Sequence, residues 1–423
     1  MMKTGLERIS QLVNEHPDRK VQTIMHLVNR ESLKGVHERQ ETNKARGVDQ
    51  ISKSSYEENL DANLDALIER MKQFSYRPQP VRRTYIPKEG SDQVRPLGIP
   101  AYEDKLVQGA MAEILTEIYE PKFYDCSYGF RAGRSQHQAL KELDSILFGW
   151  TNWVVDADIK NFFGTVDHEW LMRFLEHDIE DKNFLRYVKR FLKAGVMEGD
   201  KHYDAEEGVP QGGLISPILS NVYLHYVIDM WFEKAVKAAC KGKAEMIRYA
   251  DDVVFCFESE RDAFAFYGAL KERLKKFNLE LSEEKSKIIK FGRKAGKEAG
   301  KFDFLGFTHV TATSKKGKPI VKRFTSQKKL KAKRQKVKKW LKENMHIPVG
   351  TLIFKLNLKL QGHYNYYGVT GNYEAMRDFR EYVLERLRAT LNRRGASKAI
   401  TIAEFRSLVN KFHVATPKII HHY

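Results

Sequence analysis

Met246-Ile247-Arg248-Tyr249-Ala250-Asp251-Asp252-Val253-Val254-Phe255-Cys256-Phe257 is the stretch that decides the fold. Apolar residues lead into and out of Ala250-Asp251-Asp252, which reads as strand, tight turn, strand. Two carboxylates there would stand side by side on an exposed hairpin tip. Adjacent carboxylates repel, and a bound cation is the usual reason to place them together. With a third carboxylate from a distant strand they can hold two Mg²⁺, the apparatus of nucleotidyl transfer. Taken alone, a polar turn on an ordinary hairpin would be the plainer reading, but the rest of the chain argues against it.

The upstream segment Trp153-Val154-Val155-Asp156-Ala157-Asp158-Ile159-Lys160-Asn161-Phe162-Phe163 is a strand feeding a turn. Strand alternation puts Asp156 and Asp158 on one face, so either can look across a sheet at Asp251. The ring of Phe163 can lie beneath an incoming sugar, exclude a 2′-hydroxyl and select dNTPs. One of Phe162 and Phe163 is expected in the core. A third block is Gly208-Val209-Pro210-Gln211-Gly212-Gly213-Leu214-Ile215-Ser216-Pro217. Its glycines let a nucleotide or template approach the backbone closely, and Ser216-Pro217 opens a helix. Arg82, Arg83, Lys88 and Arg95 lie in a Pro-rich extended region over 80–100. They can grip a triphosphate or a template backbone, though each taken singly reads equally well as a surface charge.

A chain of 423 residues fits one to three domains, and 42% hydrophobic residues suffice for a sizeable core. A net charge of +18 and a pI near 9.5 point to a polyanionic partner, nucleic acid before membrane. The three cysteines (Cys126, Cys240, Cys256) form no CxxC pair, against a disulfide framework or zinc site and for a reducing compartment. No long apolar stretch and no signal-peptide core occur, so a cytoplasmic protein without membrane contact is expected.

Residues 1–35 read as amphipathic helix, with Leu6, Ile9, Leu12 and Val13 at helical spacing. Strands and helices interleave over roughly 80–310, a mixed α and β pattern. Composition changes near residue 312: residues 315–339 hold 13 Lys or Arg and no Asp or Glu. Part of this run is a helix with Leu330, Val337, Trp340 and Leu341 on one stripe. An all-basic run repels itself and is better explained by phosphate contact than by a solvated face. Residues 351–394 look helical, and the cluster His363-Tyr364-Asn365-Tyr366-Tyr367 suits base stacking or helix packing equally.

Together these blocks resemble a reverse transcriptase of the group II intron lineage, in that family's order over roughly residues 40–310. Asn43 to Asp49 resembles the block before the fingers. Arg95-Pro96-Leu97-Gly98-Ile99-Pro100 and Ser127 to Ser135 are similar to the fingers blocks. Pro210-Gln211-Gly212-Gly213 matches the dNTP-pocket block, Tyr249 to Asp252 the palm turn, Leu279 to Lys287 the following block and Phe304-Leu305-Gly306-Phe307 the last palm block. Residues 323–370 look like the thumb, or maturase domain X. The resemblance implies Asp158, Asp251 and Asp252 as metal ligands, Ile159 beside them at the ions and the nucleotide, and Asp156 as accessory. It implies Lys285 near the triphosphate as a proton donor to pyrophosphate. Arg83, Lys88, Arg95, Phe163, Pro210 and Gln211 are then substrate-binding.

The implied fold is α+β: a right-hand polymerase with fingers and palm over 36–312 and a helical thumb over 313–394. A helical extension precedes it (1–35) and a short basic tail follows (395–423). The implied activity is RNA-directed DNA synthesis with two Mg²⁺, for which Mn²⁺ can substitute. Its partners would be an RNA template, a DNA or RNA primer, dNTPs and a group II intron RNA that the protein helps to splice. Two departures stand out. Gly164 follows the Phe pair where the family usually has Asp, which changes the start of the next helix. No His/Cys-rich endonuclease block follows the thumb, so target-site cleavage is not expected. Other readings are a domesticated relative in phage defence, CRISPR spacer acquisition or DNA repair, and a splicing cofactor that only binds RNA. An RNA-dependent RNA polymerase fits less well, given Ala250 at the turn and Phe163 beneath the sugar.

Overall fold

The computed structural model describes residues 5–87, 93–314, 317, 319–394 and 399–423. Lys88, one of the basic residues expected at the triphosphate, lies outside them. In chain order the strands are β1 (Val81–Pro87), β2 (Val94–Ile99), β3 (Trp153–Asp158), β4 (Val196–Glu198), β5 (Lys201–Tyr203), β6 (Ala244–Tyr249), β7 (Asp252–Phe257), β8 (Lys287–Lys290), β9 (Lys301–Phe304), β10 (Phe307–Thr313) and β11 (Pro319–Thr325). With many helices and antiparallel hairpins between them, the chain is mixed α and β. No helix among the described residues is long and apolar enough to cross a membrane.

The chain forms two compact units. The first takes the described residues up to Pro87, Gln93–Ala139 and Val155–Ile288. Its sheets run β2-β1-β4-β5 and β6-β7-β3-β8. The β6–β7 hairpin pairs Ala244 with Phe257 at its base and Tyr249 with Asp252 at its tip. Val253 to Phe257 are all buried, as the apolar run requires. The rings of Phe232, Phe255 and Phe257 close on Phe266 of the Glu260–Lys276 helix. Each such buried ring contributes about 1.5–3 kcal/mol. The stretch 1–35, read as amphipathic helix, is instead broken: a helix over Gly5–Glu15 buries Ile9 and Val13 and packs on the Tyr102–Tyr119 helix, and after a single 3-10 turn at Met25–Leu27 a second helix runs over Arg30–Arg39. The helix expected from residue 217 starts at Ser216 but relaxes into two π turns, His225–Asp229 and Phe232–Val236.

The second unit takes Leu140–Val154 and Ile289–Tyr423. Its boundary falls well before the change of composition near residue 312. The reason is pairing: β10 bonds to β9 on one side and to β11, inside the basic segment, on the other. Beyond β11 the Gln327–Glu343 helix opens on Ser326, whose hydroxyl caps Lys329. Leu330, Val337 and Leu341 sink into an apolar cluster with Leu356, Leu360, Phe379 and Val383, and Trp340 packs on it. The predicted stripe is thus the buried face, and the lysines cover the outside.

The aromatic cluster belongs to the interior. His363 and Tyr364 are buried, and Tyr366 stacks on Phe307 and donates to the Leu305 carbonyl. Tyr367 packs on His363 and Phe307. Of the two readings offered by sequence, helix packing is the one realised. The segment read as a tail contains a helix, Ile402–Lys411, started by a Thr401–Glu404 capping box. Phe405 and Val414 join the same cluster, and the Ile420 N–H donates to the Gly368 carbonyl.

Candidate active site

Three segments of the first unit meet at the β6–β7 tip. Ala250 sits in the left-handed region (φ 57), which a two-residue hairpin turn needs at its first central position. Asp251 is the second turn residue and Asp252 the first of β7; both are half-buried. Asp158 ends β3, the strand next to β7 in the sheet. Burial pushes the Asp251 carboxyl above its ordinary value, and the Asp158 charge adds to the rise. Its own backbone N–H and the cations of Arg95 and Arg248 pull the other way. The chain therefore brings Asp158 and Asp251 into electrostatic range. Asp156 and Asp158 keep the predicted alternation, half-buried between buried Val155 and Ala157.

The Leu279–Lys287 block wraps the end of β3. The Ser282 N–H donates to the Asp158 carbonyl (2.7 Å), and the Asp158 N–H donates to the Ser286 hydroxyl (3.1 Å). Lys285 swings back so that its Nζ sits 2.9 Å from Asp158 Oδ2. Both side chains stay exposed enough that this contact is screened and weak. The Lys160 N–H bonds to the Glu280 carbonyl, which with the Ser282 bond leaves Ile159 and Leu281 as a non-hydrogen-bonded pair. The Ile159 side chain is buried, so only its main chain can serve a ligand. A polar groove of about 1050 Å³ opens beside this block, lined by Lys160, Lys271, Lys275 and Lys285 among others.

The Gly-rich loop is stitched down on two sides. The Val209 N–H donates to the Phe163 carbonyl (2.7 Å) and the Gly208 N–H to the Val166 carbonyl (2.8 Å). On the far side the Gly98 N–H donates to the Gln211 carbonyl (2.6 Å). Gly212 adopts φ 115, and a Cβ there would stand 2.6 Å from the Gly98 carbonyl oxygen, so only glycine lets the loop lie on β2. A cavity of about 230 Å³ lies under the loop, lined by Arg83, Pro96, Phe163, Pro210 and Gln211 among others. Phe162 is the core member of the Phe pair, packed on Tyr223, while Phe163 is half-buried at the cavity. The helix start in doubt at Gly164 is supplied three residues later by Asp167, whose carboxylate caps Trp170.

Arg83 and Arg95 do not converge. In the β1–β2 register Arg83 pairs with Gly98 and Arg95 with Ile86, which puts the two side chains on opposite faces. Arg83 serves the cavity, whereas Arg95 acts on Asp251. Arg82 is used up by the Arg46 carbonyl, at 2.9 and 2.7 Å.

Sequence reasoning passed over Arg248, the residue that holds the turn. It is fully buried, as is its partner Asp229 in the first π turn. Its Nε donates to Asp229 Oδ1 (2.7 Å), and its second terminal nitrogen closes the bidentate pair with Oδ2. Its remaining nitrogen donates to Asn221 Oδ1 and to the Ala250 carbonyl, both at 3.0 Å. Asn221 in turn donates to the Gly129 carbonyl (2.8 Å). A Cβ at Gly129 would stand 2.2 Å from the Ala250 nitrogen, so the fingers-like block lies flush against the turn. Burial pushes His225, one turn before Asp229, down to about 4. A signal was available, since an arginine inside an apolar strand has to be paired to be buried.

The site offers carboxylate oxygens, the donors that hard divalent cations take. Among the described residues no group of three His, Cys, Asp or Glu side chains stands at metal-ligating spacing. Lys285 occupies one Asp158 oxygen, and an ion would have to displace it. Asp158, Asp251 and Asp252 suit a divalent ion in donor chemistry, though not in the spacing they have here.

The reverse transcriptase (RNA-dependent DNA polymerase) family profile matches residues 86–309, and the group II intron maturase-specific domain profile matches residues 330–403. The chain is 44% identical over 165 residues to group II intron-encoded protein LtrA of Lactococcus lactis subsp. cremoris, covering 39% of this chain and 27% of that protein. It is 38% identical over 207 residues to protein YkfC of Escherichia coli (strain K12), covering 48% of this chain and 53% of that protein. It is 38% identical over 162 residues to an uncharacterized 91 kDa protein in the cob intron of Schizosaccharomyces pombe, covering 38% and 20%. The aligned stretches thus span from a fifth to about half of these relatives' lengths.

Proposed function

This chain belongs to the reverse transcriptase family, and we propose that it copies RNA into DNA from dNTPs and assists splicing of a group II intron RNA. The observation that carries the first activity is Asp158 held within electrostatic range of Asp251 at the β6–β7 tip. The maturase-specific match over 330–403 supports the second. We read 36–312 as fingers and palm, 313–394 as thumb and maturase domain, 1–35 as an N-terminal extension and 395–423 as a C-terminal segment. A bacterial cytoplasm, and the nucleoid when DNA is bound, is the setting that goes with this reading.

Asp158, Asp251 and Asp252, with the Ile159 carbonyl, would hold two Mg²⁺ or Mn²⁺. Bound ions would lower the pKa of a primer 3′-hydroxyl and neutralise charge on the triphosphate. Asp158, drawn from Lys285, would face the primer end, and the freed Lys285 ammonium would stand ready to donate a proton to departing pyrophosphate. Arg95, on the Asp251 face of its ladder, supplies positive potential for the triphosphate. Phe163, fixed by the bond of its carbonyl to Val209, would sit beneath the sugar. Pro210 and Gln211 would form the wall of the dNTP pocket, with Arg83 behind them. A row of lysines outside the Gln327–Glu343 helix supplies charge for the template–primer backbone.

Primer extension on poly(rA)/oligo(dT) with dTTP and Mg²⁺, run beside Asp251→Ala, tests the reading. Extension by the parent and its loss in the variant are expected. No extension by a folded, RNA-binding parent protein would move the reading to a splicing cofactor. Splicing assistance should survive Asp251→Ala, since RNA binding does not use that carboxylate.

A further inference from the structure

The Lys182–Leu192 helix divides its faces sharply. Phe184, Leu185, Tyr187, Val188, Phe191 and Leu192 are all buried. The outer face is Lys182, Arg186, Lys189 and, at the C-cap, Lys193, all exposed. These four repeat at i, i+3 and i+4, where like charges cost about 0.2–0.5 kcal/mol per pair. None forms a salt bridge among the described residues. The nearest acid in sequence, Asp181, is taken up by the backbone N–H groups of Ile24, Met25, Asn183 and Phe184. The Tyr373–Asn392 helix of the second unit behaves differently, setting Arg377 against Glu381 and Arg386 against Glu385.

The adjoining loop adds to the charge instead of offsetting it. Arg77 is exposed on it, and both Arg77 and Arg186 repel the charge on Arg190. Arg190 is spent on the carbonyls of Tyr76 (2.8 Å) and Phe74 (3.0 Å). Arg186 lies 4.3 Å over the Phe74 ring and so covers one face of the exposed aromatic. The row therefore presents point charges over about 16 Å at 1.5 Å per residue, with the neighbouring Phe74 ring capped on one face by Arg186. Such a row suits phosphates, not base edges. The same helix turns Phe191 and Leu192 into the cavity beside Phe163, so the basic row looks the opposite way.

We propose that this outer face, with Arg77, is a second RNA-binding surface that grips the backbone of double-helical RNA away from the carboxylate site. The proposal rests on the reading of the protein as one that handles RNA. Contact there is independent of sequence and strongly dependent on salt.

The test variant is Lys182→Gln/Arg186→Gln/Lys189→Gln/Lys193→Gln, which leaves the buried face and Arg190 intact. The probe is a covalently closed RNA dumbbell, a duplex with no primer terminus. Its Kd is measured across a salt series, beside primer extension on a short oligo(dT)-primed template. The variant should bind the dumbbell at least tenfold more weakly. Its log–log salt slope should be shallower by about 3–4. Extension at saturating template should be unchanged. Unchanged affinity and slope would overturn the proposal and leave a solvated face, or one that meets an acidic protein. A matching fall in extension would also overturn it, by placing the row in the template channel. A parent protein that binds the dumbbell but cannot extend would instead count against the polymerase reading alone. Should the quadruple variant melt early, Lys189→Gln/Lys193→Gln gives the same readout at about half the slope change.

Discussion

Replacing Arg248 with methionine removes the guanidinium bonded to Asp229 and the donor to the Ala250 carbonyl, while roughly keeping side-chain volume. Both charges are fully buried, so the variant leaves an uncompensated carboxylate inside the unit. Breaking a buried pair from one side costs about 3–5 kcal/mol, a large share of the ~5–15 kcal/mol that holds a domain together. The companion variant Arg248→Met/Asp229→Leu removes both charges, and apolar replacement of a buried pair is often neutral or better. It should fold nearly as stably as the parent, yet its turn still lacks the bond to Ala250. A displacement of the turn by about 1 Å costs on the order of a hundredfold in rate. Urea unfolding of the three proteins, with single-nucleotide incorporation on oligo(dT)-primed poly(rA), separates the two roles. The single variant should lose both stability and rate, and the double should regain stability alone. Recovery of kcat in the double variant would refute the positioning role and leave Arg248 a folding residue. A loss below about 1 kcal/mol in the single variant would refute the buried-charge argument.

Phe163→Ala should admit rNTPs, since the side chain at the cavity wall shrinks while its backbone bond to Val209 remains; unchanged sugar selectivity would move the gate to another residue. His309, buried and stacked on Phe302, is pushed by burial down to about 3 from an ordinary 6.5. The stability it lends by staying neutral is whole above pH 6.5 and drains as pH falls towards 3, by about 1.4 kcal/mol per unit. His309→Phe should therefore cut the stability lost between pH 7 and pH 5 by about 2 kcal/mol, read from melting curves. An unchanged acid slope would mean that the ring finds a proton acceptor after all.

Much of this was legible in the chain because it depends on local rules. The hairpin at Ala250-Asp251 follows from apolar runs flanking a polar pair, and the buried stripe of the Gln327–Glu343 helix from helical spacing. What stayed hidden depends on partners distant in sequence. Nothing local says that Lys285 will lie on Asp158, since that contact depends on Ser282 and Ser286 wrapping the end of β3. Nothing local says that Arg83 and Arg95 will face apart, because their faces are set by cross-strand register. The aromatic cluster at 363–367 could stack on bases or on its own core, and only the closure of helices around Phe307 and Phe379 settles which.

By itself, then, the sequence determined the kinds of element, the carboxylates at the hairpin tip and the order of blocks that marks the family. Those are properties of residues and their near neighbours, where alternation, turn chemistry and charge act within a few positions. Tertiary structure alone decided which carboxylate meets which cation. It also decided that a buried Arg248–Asp229 pair braces the turn from a π-helical kink, and that the segment after 399 closes a core. Such choices follow from burying charge and apolar surface together, so they exist only once distant segments have excluded the water between them.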